Sequence, residues 1–109
     1  MYNGQMEGIF SGFDWERGNR QKCRKHGLST REVEELFSHP LMIIPDAAHS
    51  QSEARLRAIG RSRSGRMVFV VFTVRKKDGE RLIRPISARY MHGKEVRHYE
   101  EENPDLRDR

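Results

Sequence analysis

One apolar run set among arginines constrains this chain most. Met67-Val68-Phe69-Val70-Val71-Phe72-Thr73-Val74 carries no charge, in a protein in which 34% of residues are charged. A stretch so rich in β-branched and aromatic residues reads as a strand covered on both faces, hence the centre of a sheet. It is too short to cross a bilayer. Its neighbours read as strands too. Ala54, Leu56, Ala58 and Gly60 alternate with Arg55, Arg57, Ile59 and Arg61, a period of two with a mostly cationic second face. Ser62-Arg63-Ser64-Gly65 supplies a turn and Asp78-Gly79 a hairpin signal. In the last strand Leu82, Arg84 and Ile86 share one face and Ile83 takes the other. Pro85 cannot donate to a ladder, so this strand lies at an edge or is bulged there.

Helices flank these strands. Ser29 and Glu32 have the spacing of a capping box, with Leu28 and Val33 placed to close a hydrophobic staple. Val33, Leu36 and Phe37 form an apolar stripe, and Pro40 ends the helix. Before it, Trp15 to Lys25 reads as a polar helix closed by Gly27, with Lys22, Arg24, Lys25 and His26 in the last turns, where the helix dipole favours cations. Ile9 to Phe13 and Leu41 to Ile44 read as short strands. A final helix over about His92 to Glu102 places Val96 and Tyr99 on one face before Asn103-Pro104. The expected fold is α+β: a small, mainly antiparallel sheet in the order β-α-α-β-β-β-β-α, with helices packed on one face and the arginine face open. The 109 residues suit a single domain, ordered over about 9–102 and flexible at 1–8 and 103–109. Val, Ile, Leu and Phe make up only 23 residues, so the core is small.

The charge is unevenly divided. Residues 55–97 hold thirteen basic and three acidic side chains, net +10, against +5 for the whole chain. Most of the basic residues are arginines, whose planar fork suits phosphate. A polyanion is the natural partner of such a segment, while a solvated face that blunts strand edges is the plainer alternative. The single cysteine, Cys23, allows no internal disulfide. With no basic start and apolar stretch at the N-terminus, a cytoplasmic location is expected, with no membrane association.

Familiar cofactor motifs are missing. There is no phosphate-binding P-loop, dinucleotide fingerprint or HExxH, and one cysteine and five scattered histidines offer no metal-ligand spacing, so neither cofactor nor metal is expected. No basic recognition helix supports a DNA-binding regulator acting alone. Four clusters remain: Arg24-Lys25-His26-Gly27; His49-Ser50-Gln51-Ser52-Glu53-Ala54-Arg55; Ile59-Gly60-Arg61 with its turn and Arg66; and Arg84-Pro85-Ile86-Ser87-Ala88-Arg89-Tyr90, followed by Glu95 and Tyr99. Each has a bland reading as a helix terminus, a loop, a solvated turn or an edge strand. Together they hold groups that metal-free RNA cleavage requires: His, Glu or Tyr to move protons, and Arg and Lys to stabilise a charged phosphorane.

Lys25-His26-Gly27, His49 to Arg55, Ala58 to Arg61, Gly65-Arg66, Phe72-Thr73, Ile86 to Arg89 and Glu95 with Tyr99-Glu100 occur in an order and spacing that resemble the BrnT family of bacterial toxins, over about residues 10–102. Gly18 and Lys22 depart from its pattern, which commonly has Lys and Asn there. The resemblance implies a RelE-like fold and an endoribonuclease that slows translation. It also implies neutralisation by a BrnA antitoxin, a ribbon-helix-helix protein, in a complex with two copies of each chain that meets operator DNA through the antitoxin. Transferred onto this sequence, Lys25, His26, His49, Glu53, Arg55 and Tyr99 are the catalytic candidates, and Arg61, Arg66, Arg84 and Arg89 the RNA-binding ones. The proton-transfer group stays open among His26, His49 and Glu53. A non-catalytic basic module that binds an antitoxin or nucleic acid is the alternative.

Overall fold

A computed structural model describes residues 2–4, 10–46 and 54–102. Among the described residues nine elements follow one another: strands β1 (Tyr2–Gly4) and β2 (Gly12–Phe13), helices α1 (Arg17–Arg24) and α2 (Thr30–Leu36), strands β3 (Leu41–Pro45), β4 (Leu56–Arg61), β5 (Met67–Lys77) and β6 (Glu80–Tyr90), and helix α3 (Gly93–Glu102). The expected order did not include β1; the eight elements from β2 onward follow it. The strands form one sheet in the order β1-β3-β4-β5-β6-β2. All neighbours are antiparallel except β2, which runs parallel to β6 through Gly12 opposite Leu82 and Phe13 opposite Ile83. The sheet is therefore mixed, though mainly antiparallel.

Local chemistry explains these elements. The capping box of α2 is present: Ser29 Oγ accepts from the Glu32 backbone N–H at 3.1 Å, and the Glu32 carboxylate accepts from the Ser29 N–H at 3.2 Å. Leu28 and Val33 are buried in the same cluster, consistent with a staple. The β5–β6 hairpin turns through Asp78 (φ 51°) and Gly79 (φ 79°), the pair of positive angles that a type I′ turn requires. At Pro85 the ladder slips. Val71 pairs with Ser87 and Phe72 with Pro85, so β6 carries the bulge that the missing N–H calls for.

Two apolar clusters lie on opposite faces of the sheet. On the first face Ala58, Val68, Val70, Phe72 and Ala88 pack with Cys23 of α1 and with Val33 and Leu36 of α2. Phe37 stands edge-on to both Phe13 and Phe72, at centroid distances of 5.6 and 5.2 Å. On the second face Met42, Ile59, Met67 and Met91 form a smaller cluster against which Val96 and Tyr99 of α3 pack. The expectation that all helices share one face is therefore corrected. Strand alternation shows that a second face exists, but not that Met42, Ile59 and Met67 make it apolar enough to seat a helix.

Polar contacts fasten α1 to β6. The Asn19 side chain is buried and donates to the carbonyls of Pro85 (2.8 Å) and Asp14 (3.1 Å), while its oxygen accepts from the Glu16 N–H at 2.6 Å. Asp14, also buried, meets Arg84 at 3.2 Å and Lys77 at 3.3 Å. Arg84 bonds Glu16 as well, at 3.1 Å, and this holds the Glu16 carboxyl below its usual pKa.

Candidate functional site

Period two along β4 sends Arg57, Ile59 and Arg61 to the second face, opposite Ala58 and Gly60. Beside the α3 cluster that face keeps an open concavity of about 240 Å³, with Arg55, Arg57, Asp46 and Ser87 around an apolar floor of Phe69, Val71 and Ile86. Arg57 is its hub. Its Nη2 donates to Asp46 Oδ1 at 2.9 Å, and the Asp46 side chain is only 4% exposed. Asp46 is the main cause of a raised Arg57 pKa, to which Tyr99 adds as a further hydrogen-bond and charge partner. Arg57 Nε is buried with no hydrogen-bond partner. The Asp46 N–H donates to the Arg55 carbonyl at 2.9 Å, which ties the ends of β3 and β4 together. His49 and Glu53 lie outside the described residues.

Arg89 stands next to this concavity. Its guanidinium takes both oxygens of Glu95, each at 2.8 Å, and lies over the Phe69 ring at 4.9 Å from the centroid. Glu95 also accepts from the His92 N–H at 3.0 Å. Arg89 first and this N–H second lower the Glu95 pKa to about 2.

A second group gathers at the end of α1. Lys25 and His26 are exposed there, and Gly27 turns the chain at φ 87°. A Cβ on Gly27 would touch the Tyr90 ring at 3.9 Å. Tyr90 donates its hydroxyl to Glu32 at 3.1 Å, and the Arg66 guanidinium covers the ring at 3.7 Å. Burial, with Glu32 second, raises the Tyr90 pKa.

Of the ten residues singled out in the sequence, the eight that are described fall into separate places. Arg55, Arg89 and Tyr99 come together on the second face. Arg66 covers the Tyr90 ring, and Lys25 and His26 are exposed just before Gly27, which meets that ring. Arg61 donates to the Gly65 carbonyl at 2.9 Å and lines another groove, with His39, Pro40 and Met67. Arg84 is tied into the Asp14 and Glu16 carboxylates between β2 and α1. Arg57 was missed as a functional residue, although it shares its strand face with Arg55 and Arg61. Among the described residues no three of His, Cys, Asp and Glu gather as a cation site would need. Nor is any described helix long and apolar enough to cross a membrane.

The fold and this face define a class: a small, basic α+β protein with an arginine-lined hollow on one face of its sheet. A family model described as "Ribonuclease toxin, BrnT, of type II toxin-antitoxin system" matches residues 15–95, and the chain belongs to that family. No individually curated protein matches it. Membership indicates a ribonuclease toxin of a type II toxin–antitoxin system, which implies an RNA substrate and an antitoxin partner.

Proposed function

We propose that this chain is an endoribonuclease of RelE-like fold that cleaves RNA without a metal ion and thereby inhibits translation. A BrnA-like ribbon-helix-helix antitoxin neutralises it in a complex with two copies of each chain, and operator DNA is met through that antitoxin. The reading is carried by the convergence of Arg55, Arg57, Arg89 and Tyr99 around one apolar hollow. In-line cleavage has the ribose 2′-oxygen attack phosphorus while the bond to the 5′-oxygen breaks, giving a 2′,3′-cyclic phosphate and a 5′-hydroxyl. Charge grows on the phosphoryl oxygens during that step. Guanidinium groups held beside an apolar floor stabilise it. Arg55 and Arg57 take this role. One proton leaves the attacking hydroxyl and one reaches the departing oxygen, moved by His49 or Glu53 with Tyr99 as a further donor, whereas His26 stands at the end of α1 on the other side of the sheet.

The test is cleavage of a labelled RNA by the purified full chain in the presence of a chelator, with analysis of the product ends. Cyclic phosphate termini, and a fall of about 10²-fold in Arg55→Ala, are the expected results. Cleavage that the chelator abolishes overturns the metal-free step. A second reading, the non-catalytic basic module, draws on a specific observation: Arg57 and Arg89 already carry Asp46 and Glu95 as counter-charges. It predicts salt-sensitive RNA binding with no cleavage in the same assay.

A further inference from the structure

Helix α1 carries a second cationic surface, on the side of the sheet away from the arginine hollow. Arg17, Arg20 and Arg24 are spaced i, i+3, i+7, so they share one face of the helix and span about 10 Å of its length. All three are exposed. None has an ion pair with another described residue. With Trp15, Glu16 and Gln21 they line a groove of about 430 Å³. The carboxylate in that groove, Glu16, is taken up by Arg84 at 3.1 Å.

Trp15 sets the chemistry of this groove. The indole is half-buried against the core, and its Nε1–H donates to Glu34 at 2.8 Å, so the ring is held in place at the head of the arginine row. A fixed aromatic ring beside a row of guanidinium groups is what single-stranded nucleic acid binds: bases stack and phosphates meet forked donors. An acidic peptide would use the arginines but has no need of the indole. The row also leads somewhere. Past Arg24 come the exposed Lys25 and His26, then Gly27 against Tyr90 with Arg66 over its ring.

We propose that α1 is a second contact for single-stranded RNA, in which Arg17, Arg20 and Arg24 hold the backbone, Trp15 stacks a base, and the strand is led toward Lys25, His26 and Arg66. The binding stands on the groove and on the exposed residues that follow it, and it does not depend on where the RNA is cut.

Trp15 is the chain's one tryptophan, so its fluorescence reports on this groove. The probe is an end-labelled 2′-O-methyl oligoribonucleotide, which lacks the attacking hydroxyl and cannot be cut. Indole quenching that follows the anisotropy of the label is expected. The triple variant Arg17→Ala/Arg20→Ala/Arg24→Ala should bind about tenfold or more weakly and lose about two units of salt slope. Lys76→Ala/Arg81→Ala/Lys94→Ala, with the same charge change elsewhere, should bind within about threefold of the parent. Binding with unchanged indole emission, and with the arginine triple at parental affinity, overturns the proposal. So does an arginine triple that keeps RNA but loses polyglutamate. A protein that quenches on RNA yet cuts none supports the α1 contact while ending the ribonuclease reading. Cleavage with an unaffected arginine triple does the reverse.

Discussion

Arg89 of β6 and Glu95 of α3 meet in a two-pronged ion pair, both contacts at 2.8 Å, across the short turn that joins strand to helix. The pair holds the start of α3 to the sheet face that also carries the arginine hollow. It makes pH a probe of that attachment. The Glu95 pKa is about 2 in the fold, against about 4.3 for an unfolded glutamate. Its stabilising contribution is therefore fully present well above the unfolded value and is lost as pH falls through about 2. Both side chains are about one-third exposed, so the effect is modest. Glu95→Gln should lower stability by about 1 kcal/mol at neutral pH. Urea unfolding from neutral pH down to about 2 should show parent and variant converging on the acid side. A gap that persists unchanged in acid would show that Glu95 acts through packing rather than charge.

Asn19 answers two buried carbonyls at once, those of Pro85 and Asp14. Replacing it with Ala leaves both without their donor in a place shut from water. The expected loss is about 2–3 kcal/mol, read as a lower midpoint in chemical denaturation. An exposed polar residue of the same helix, Gln21→Ala, should change the midpoint little.

Gly60 has no room for a side chain. A Cβ there would stand 2.6 Å from Leu41 Cδ2 and 3.3 Å from Leu36 Cδ1, and both leucines are fully buried. Gly60→Ala is expected to cost about 1–3 kcal/mol through forced repacking. Thermal unfolding of this variant alongside Gly18→Ala, whose Cβ meets nothing within 4 Å, separates the steric effect from general glycine replacement.

Cys23 is fully buried under α1, and burial pushes its thiol pKa up to about 11. The thiolate is the reactive form, so the folded chain should react with a thiol reagent at neutral pH far more slowly than the unfolded chain. Rapid native labelling that matches the unfolded rate would mean that α1 opens readily from the sheet.

Where chemistry is local, the sequence was informative. Ser29 and Glu32 lie three residues apart and close their box within one turn, and Asp78-Gly79 needs no partner to define its hairpin. Pro85 announced its bulge through the donor it lacks. Other features depend on residues far apart. Asp14 and Arg84 are 70 positions apart, so nothing near Arg84 signals that its charge serves the joint between β2 and α1. The side on which α3 docks is set by four residues from β3, β4, β5 and the turn after β6. At the candidate site, Arg55, Arg89 and Tyr99 were legible as types. The role of Arg57 appears only once Asp46 and Tyr99 are beside it.

Both outer strands of the sheet come from the beginning of the chain: β1 borders β3, and β2 borders β6 across the interval from Gly12 to Leu82. A loop of that length closes slowly compared with local hairpins. During synthesis, β2 leaves the ribosome long before its neighbour exists, and waits with its backbone groups unpaired. A ribosome that halts before β6 releases a chain with one border open and Arg89 not yet made. Interrupted translation therefore yields fragments without the assembled arginine hollow, and the complete hollow arrives only with the last tenth or so of the sheet-forming sequence.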